Sequence, residues 1–156
     1  MAKLEFTPSQ RAAIYSRESS VLVSAAAGSG KTRVLTERLM AYITDEQVPK
    51  DIDSFLSITY TRAAAAELRG RILSELMARS AAEPENRRLR RQANLCYRAQ
   101  IGTIHSFCTT VLRENAHSLG ISPDFKVLDE DRASVMRRRA LQNVLDSAYE
   151  KMTPEF

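Results

Sequence analysis

The sequence has few cysteines and no long hydrophobic run, and each shortage excludes a class of protein. Among 156 residues there are two cysteines, Cys96 and Cys108, too few for a disulfide framework and consistent with a reduced cytoplasmic setting. No apolar run approaches the roughly 20 residues that a membrane-spanning helix needs. The first six residues lack the apolar core of a secretory signal. Disulfide-rich, secreted and membrane-spanning proteins are therefore not expected.

The composition is that of an ordinary globular domain, but the charge is unevenly placed. Hydrophobic residues make up 44% and charged residues 27%, which argues against disorder. The net charge is +4, whereas residues 62–98 alone hold nine arginines and four glutamates, a net +5. Arginine suits phosphate contacts, so this third of the chain is a candidate surface for a polyanion. A solvated, arginine-rich helix face explains the same charge equally well.

Short apolar runs alternate with helical segments, and this alternation predicts an α/β fold. Three runs are predicted strands: the buried run 21–23, then 55–60 and 101–104. Helices are predicted from Thr7 onward, from Lys31 to before Pro49, and over 63–79, 86–99, 106–117 and 130–151. Strands that alternate with helices are typical of a parallel sheet with crossover helices.

The run Gly28-Ser29-Gly30-Lys31-Thr32 is typical of a phosphate-binding loop. The glycines allow tight turns with backbone N–H groups facing phosphate, the lysine reaches the β- and γ-phosphates, and the threonine offers a hydroxyl to Mg²⁺. A predicted strand precedes the loop, and a predicted helix follows and directs its positive end at the anion. Ala25 stands where the longer pattern has its first glycine, so only the core of the motif is intact. A plain Gly/Ser connector is disfavoured by this context.

Four segments, in this order, resemble the motifs of the UvrD-like superfamily 1 helicases. Phe6–Gln10 resembles the Q motif, Ala25–Thr32 the nucleotide loop, Ile58–Ala64 motif Ia and Thr103–Cys108 motif Ib. Within that family, the runs SAAAGSGKT and AAAAEL most resemble the AddA branch, the helicase–nuclease subunits of bacterial AddAB (RexAB) complexes. The resemblance implies an incomplete RecA-like P-loop NTPase core, followed by the start of a helical insertion.

The resemblance also implies the domain plan and the activity. Residues 1–120 would form the N-terminal part of motor domain 1A, and residues 121–156 the start of the helical 1B insertion. The parent protein would use ATP and Mg²⁺ to move along single-stranded DNA, unwind duplex DNA and act in double-strand break repair with the AddB (RexB) nuclease subunit. The chain would end before the Asp-Glu pair that holds Mg²⁺, so we expect it to be catalytically incomplete alone.

Site residues follow from the same motifs. The nucleotide would be bound by Gln10, Ala26, Ala27, Gly28, Ser29, Gly30, Lys31, Thr32 and Arg33, of which Lys31 and Thr32 would be catalytic and Thr32 would also hold Mg²⁺. Single-stranded DNA would be bound by Thr59, Tyr60, Thr61, Arg62, Thr103, His105 and Ser106. Gln10 would read adenine, although it also fits a capping partner for Thr7. Tyr60 would stack on a base or be an ordinary strand-end tyrosine. Arg62 departs from the family, in which asparagine is common.

Several alternatives stay open at this point. A small P-loop kinase would explain the loop but not motifs Ia and Ib, and a non-enzymatic DNA-binding module would explain the arginines but not the loop. A UvrD-like helicase without a nuclease partner is a third alternative.

Asp129 and Glu130 are interpreted as an acidic helix start rather than as the Asp-Glu pair that holds Mg²⁺. The spacing of Cys96, His105, Cys108 and His117 matches no common zinc pattern, and both cysteines are predicted to fill the core.

Overall fold

The computed structural model describes residues 5–17 and 20–151, with side chains up to 150. Over these ranges the chain forms six α-helices, a 3₁₀ turn and two strands: α1 (Pro8–Tyr15), α2 (Lys31–Ile43), the 3₁₀ turn (Ile52–Ser54), β1 (Leu56–Thr59), α3 (Arg62–Ala82), α4 (Arg87–Leu95), β2 (Gln100–Thr103), α5 (Ile104–Glu114) and α6 (Glu130–Lys151). None of the helices in the described ranges is long and apolar enough to cross a membrane. The chain is therefore a helix-rich α/β protein.

A two-stranded parallel sheet organises the first part of the chain. Leu56 of β1 pairs with Gln100 of β2, and Thr59 pairs with Thr103, so the two strands begin and end together. Helices α3 and α4 make the crossover between the strands, as the alternation of segments predicted. The carboxyl ends of β1 and β2 therefore lie at one edge of the sheet, and their starts at the other.

The core lies between α2, α3, α4 and the sheet. The stripe predicted on α3 is confirmed, since Ala65, Leu68, Ile72 and Leu76 are all buried. Leu68, Ile72 and Leu76 belong to one apolar cluster with residues of the neighbouring elements, namely Leu39, Met40, Ile43, Ile52, Leu89, Cys96, Ala99 and Ile101. Burial of such side chains, about 1.5–3 kcal/mol each, is the main source of stability.

The predicted strand at 21–23 is wrong. These residues have no regular secondary structure, and the Leu22 side chain is 96% exposed. An extended segment becomes a strand only when a neighbouring strand satisfies its backbone N–H and C=O groups. In the described part of the chain, β1 and β2 pair only with each other. The apolar run alone therefore did not show whether a neighbouring strand would pair with residues 21–23.

The end of α4 comes earlier than the sequence predicted, at Leu95 instead of residue 99. The Arg69 guanidinium of α3 explains this end, because it donates to the carbonyls of Cys96 (2.6 Å), Ala99 (3.1 Å) and Ile101 (3.0 Å). These carbonyls follow the last helical turn and would otherwise lack helical partners. Arg69 thus fixes the chain between α4 and β2.

Other arginines of the basic region are also structural. Arg79 bridges Glu37 of α2 (2.7 Å) and Glu75 of its own helix (2.8 Å). Arg88 pairs with Asp51 at 2.9 Å and joins α4 to the chain before β1. Part of the charge excess over 62–98 therefore serves packing between helices, a role that the arginine count did not reveal.

The described residues form two compact units, one up to Thr110 and the other from Val111. In the second unit, α6 spans Glu130–Lys151, as predicted. Asp129 caps this helix by accepting a hydrogen bond from the Arg132 N–H (2.9 Å), and Glu130 and Asp131 lie in its first turn. The interpretation of these acids as a helix start is confirmed. The domain boundary at residue 120 stays a prediction.

The Asp51 carboxylate should make stability depend on pH. The Gln92 side-chain amide donates to it at 2.7 Å, and this bond, followed by the charges of Arg91 and Arg88, lowers the pKa of Asp51. A lowered pKa stabilises the folded state at pH values above about 3.9, the ordinary value, and this stabilisation is lost as the pH falls through the folded-state pKa. We expect Asp51→Asn to destabilise the protein more at pH 7 than near pH 3.

Urea unfolding of both proteins at the two pH values measures this difference. Asp53→Asn, a change at an exposed neighbouring carboxylate, is the matched control. An equal effect of Asp51→Asn at both pH values would contradict the assignment.

Candidate nucleotide and nucleic-acid site

Two glycines shape the loop before α2. Gly28 has φ 78° and Gly30 has φ 84°, both in the left-handed region that favours glycine. Gly30 is the N-cap of α2, and Lys31 is its first residue. A Cβ atom on Gly28 would meet nothing within 4 Å, so the space beside this turn is open. The loop therefore has the tight turns that the sequence predicted and room for a group next to them.

The Lys31 ammonium folds back over the loop. Its Nζ donates to the carbonyls of Ala25 and Ala26, each at 2.7 Å. The positive charge is thus held against the loop, at the end of α2 where the helix dipole is also positive. Together with the open space beside Gly28, this arrangement fits an anion such as a polyphosphate. Thr32 follows in the first turn of α2 and carries a hydroxyl oxygen, the ligand type that Mg²⁺ prefers.

Gln10 connects the first helix to the loop. Its Oε1 accepts from the Thr7 N–H (2.9 Å) and Thr7 Oγ1 accepts from the Gln10 N–H (3.3 Å), which confirms the predicted capping box. The other end of the same amide, Nε2, donates to the Ser29 carbonyl at 3.1 Å. One side chain thus caps α1 and holds the loop. The contact between residues 19 apart could not be derived from the capping pattern alone.

Arg33 lies beside an aromatic ring from the start of the chain. Its guanidinium carbon is 4.2 Å from the centroid of the Phe6 ring, a cation–π geometry. Both residues also line a cleft with Glu37 of α2 and Gly70 of α3. On another side, Lys31 and Thr32 line a second cleft with the apolar residues Val21, Val23, Val34 and Leu35. The run 21–23 therefore borders the loop residues, although it is not a strand.

The ends of β1 and β2 bring the two predicted DNA-binding segments together. Thr59 is paired with Thr103, so Tyr60 to Arg62 and His105 to Ser106 follow adjacent strands at one edge. Tyr60 is fully exposed, and Arg62 and His105 are exposed too. The predicted shared edge of these two segments is confirmed.

Two threonines of these segments cap or stabilise turns. Thr61 Oγ1 accepts from the Ala64 N–H (3.1 Å) and so caps α3, while the Thr59 hydroxyl donates to the Thr61 carbonyl (2.9 Å). Thr103 is buried, and its Oγ1 accepts from the Ser106 N–H at 3.3 Å. These hydroxyls shape the edge, whereas the exposed side chains of Tyr60, Arg62 and His105 form its surface.

Gly102 is a further residue of this edge that sequence reasoning missed. A Cβ atom there would lie 2.5 Å from Ser106 Oγ, which is too close. The Ser106 hydroxyl donates to the Thr103 carbonyl at 2.8 Å, so it has a bond to lose if it moves. A glycine inside a strand often marks such a close approach, and this feature of the run 101–104 could have identified it.

The two cysteines differ in position. Cys96 lies in the core, as predicted, and burial raises the pKa of its thiol. Cys108 is exposed, so its predicted place in the core is wrong. Helix α5, which carries Cys108, has no buried residue, so the apolar character of its sequence does not lead to burial.

Comparison with known proteins assigns the family. Residues 6–156 match the model of the UvrD/REP helicase N-terminal domain. The chain belongs to the UvrD/REP helicase family. This membership agrees with the resemblance drawn from the four motifs and excludes the small P-loop kinase.

The curated relatives that match the chain are helicases of one kind. The chain is 46% identical over 147 residues to a protein of Moorella thermoacetica, 41% over 156 residues to one of Lachnoclostridium phytofermentans, and 42% over 154 residues to one of Acetivibrio thermocellus. Each of the three is named as a subunit of an ATP-dependent helicase/nuclease. The matches cover 94%, 100% and 99% of this chain, but 10%, 11% and 12% of those proteins. The chain therefore spans about a tenth of the length of these relatives.

Proposed function

We propose that this chain forms the nucleotide-binding and part of the DNA-binding region of an ATP-dependent DNA helicase–nuclease. One observation carries the proposal: Lys31 begins α2 directly after a loop with two left-handed glycines, and its ammonium lies against that loop. The relatives are named for ATP dependence, and this loop is the part of the chain that suits ATP. The activity itself belongs to the complete protein that carries this chain.

In the proposed complex, the loop residues Ala26 to Gly30 surround the phosphates, and Lys31 neutralises the β- and γ-phosphates. The Lys31 ammonium exchanges its bonds to the Ala25 and Ala26 carbonyls for bonds to phosphate oxygens. The Thr32 hydroxyl would hold Mg²⁺, and the ion would supply positive charge beside the phosphates. Each exchange replaces a bond to a neutral carbonyl oxygen with a bond to a negatively charged phosphate oxygen, which favours phosphate binding.

Gln10 and Arg33 are proposed to bind the base. The Gln10 amide can give one hydrogen bond and take one, which is what adenine recognition requires. In the structure both ends are used, by Thr7 and by Ser29, so reading adenine means exchanging at least one of these bonds. Arg33 already stacks on the Phe6 ring and presents a planar group suited to a base. Because Gln10 also bonds to the Ser29 carbonyl, base binding would then change the contacts of the phosphate-binding loop.

The sheet edge is proposed to bind single-stranded DNA. Tyr60 is exposed and can stack on a base, while Arg62 can pair with a phosphate. His105 and Ser106 lie next to them because β1 and β2 end together, and Thr59, Thr61 and Thr103 hold the turns. Ligands of open parallel sheets gather beyond the carboxyl ends of the strands, which supports this placement.

The core is proposed to be RecA-like, with residues 1–120 in motor domain 1A and residues 121–156 beginning the 1B insertion. The parallel β1–α3–α4–β2 unit supports this fold. Leu56 and Ile58 of β1 are each 48% exposed, so one face of the sheet is left open for further packing. We also propose a partner subunit, because the relatives are each named as one subunit of a helicase/nuclease. From the resemblance to the AddA branch, we propose AddB (RexB) as this partner, double-strand break repair and recombination as the process, and the cytoplasm as the location.

The lysine of the loop provides the first test. Lys31→Ala removes a charged hydrogen-bond donor, so ATP binding in the presence of Mg²⁺ should weaken by about 1.5–3 kcal/mol. Isothermal titration calorimetry of the wild type and the variant measures this loss. Lys50→Ala, at an exposed lysine after α2, is the matched control and should bind as the wild type does. Equal ATP affinity in all three proteins would refute the nucleotide site.

The sheet edge provides the second test. Tyr60→Ala should weaken binding of a labelled single-stranded oligonucleotide by about 1–3 kcal/mol with little change in salt dependence, because stacking is removed. Arg62→Ala should flatten the plot of log affinity against log salt by about 0.7, because one phosphate is no longer neutralised. Fluorescence anisotropy across a salt series measures both effects.

A tyrosine at the opposite edge of the sheet is the control for this experiment. Tyr97 is 71% exposed and precedes the start of β2, so Tyr97→Ala should leave single-strand affinity unchanged. If the Tyr60 and Arg62 variants bind like the wild type at every salt concentration, the edge does not bind DNA.

A further inference from the structure

Helix α4 and the turn after it carry an unusual arginine surface. Residues 86–99 contain five arginines and no lysine, aspartate or glutamate. Leu89, Gln92 and Cys96 of this segment are buried. Arg87, Arg90 and Arg98 are exposed. At 3.6 residues per turn, Arg87 and Arg90 lie on the side of α4 opposite to Leu89 and Gln92, and Arg98 lies exposed in the turn that follows the helix. We call Arg87, Arg90 and Arg98 the α4 arginine face.

The α4 arginine face is not used for internal packing. The other two arginines of the segment, Arg88 and Arg91, both pair with Asp51. In contrast, no carboxylate within residues 5–17 and 20–150 forms an ion pair with the three arginines of the face. The acids just before the helix are Glu83 and Glu85, and Glu83 accepts a hydrogen bond from the Asn86 side chain. Among the described residues, three arginines of this segment therefore have no ion-pair partner, two on α4 and one in the turn that follows it.

The face lies away from the proposed single-strand site. The turn containing Arg98 leads directly into the first residue of β2, and α4 is bonded to Asp51 and Ile52, which precede β1. Both contacts place α4 at the edge where the strands begin. Tyr60 and His105 lie at the edge where the strands end. A strand of four residues, about 3.3 Å each, separates the two edges.

We propose that the α4 arginine face binds the phosphate backbone of duplex DNA, as a second surface separate from the single-strand site. The proposal rests on the proposed function, since a helicase handles both forms of DNA. Guanidinium groups bind phosphate in a bidentate geometry that suits them better than ammonium groups. The face therefore complements a polyphosphate in both charge and chemistry.

Duplex DNA is the better occupant of this face than a single strand. A duplex carries one negative charge per about 1.7 Å of its axis, twice the density of one of its strands. Single-strand binding depends on rows of stacking aromatics as well as on charge. Tyr97 is the one aromatic residue in the segment 86–99. A contact made by charge on a rigid helix favours the more densely charged ligand, and it carries no sequence preference.

The test compares three variants of the complete protein that carries this chain. The first replaces Arg87, Arg90 and Arg98 by Gln, and the second replaces the same residues by Lys. The third replaces Arg137, Arg138 and Arg139 of α6 by Gln, which removes the same charge from another exposed helix. Binding of a labelled blunt duplex, of a single-stranded oligonucleotide and of poly-glutamate is measured by anisotropy across a salt series. Thermal unfolding verifies that each variant is folded.

The proposal predicts a specific pattern. The triple Gln variant of α4 should lower the salt slope of duplex binding by about 2–3 units, at about 0.9 for each phosphate that is no longer neutralised. Its single-strand affinity should stay within about twofold of the wild type, because stacking at Tyr60 is intact. The Lys variant should keep most of the duplex affinity because it keeps the charges. The α6 variant should change the slope less than the α4 variant.

Other outcomes would overturn the proposal. Unchanged duplex binding by the α4 Gln variant would show that the face does not bind DNA. An equal loss for the α6 variant would assign the effect to net charge, and an equal loss of single-strand binding would remove the duplex assignment. Loss of poly-glutamate binding with duplex binding retained would indicate an acidic protein partner instead. If Tyr60→Ala has no effect on single-strand binding, the proposed single-strand site at the sheet edge fails. Duplex binding by the α4 Gln variant still tests the α4 arginine face independently.

Discussion

The position of the Lys31 ammonium is the constraint on which the rest of the candidate site depends. It is held by two loop carbonyls at the start of α2, and the loop can present them only because Gly28 and Gly30 adopt left-handed conformations. The same loop is tied to α1 through Gln10 and to the body of the protein through α2, whose buried face joins the core. The Lys31 charge, the start of α2 and Gln10 are therefore fixed relative to one another.

A second constraint is the parallel pairing of β1 and β2. Equal strand lengths and an in-register ladder bring Thr59 beside Thr103, so two segments more than forty residues apart share one edge. Arg69 stabilises this arrangement, because its guanidinium donates to the carbonyls of Ala99 and Ile101, which flank the first residue of β2. Gly102 leaves the space that Ser106 needs. The hydroxyls of Thr59, Thr61, Thr103 and Ser106 make hydrogen bonds within the edge, and the exposed side chains of Tyr60, Arg62 and His105 form its surface.

Sequence reasoning predicted what local chemistry determines and missed what distant contacts determine. The capping box at Thr7, the buried stripe of α3 and the full extent of α6 depend on spacing within one helix and were predicted correctly. The missing strand at 21–23 and the exposed Cys108 depend on neighbours that a local pattern does not contain. The same is true of Arg69, whose three bonds reach residues 27 to 32 positions away. A count of charges cannot separate such packing arginines from free ones.

In the proposed nucleotide site, the loop before α2 binds the phosphates of ATP through its backbone. Hydrogen–deuterium exchange of the complete protein, with and without ATP and Mg²⁺, tests it most directly, because phosphate oxygens would accept bonds from the N–H groups of Gly28 to Thr32. We expect slower exchange in the loop and the first turn of α2 on addition of ATP, with exchange in α6 as the internal reference. Unchanged exchange across the loop at saturating ATP would contradict phosphate binding by this loop.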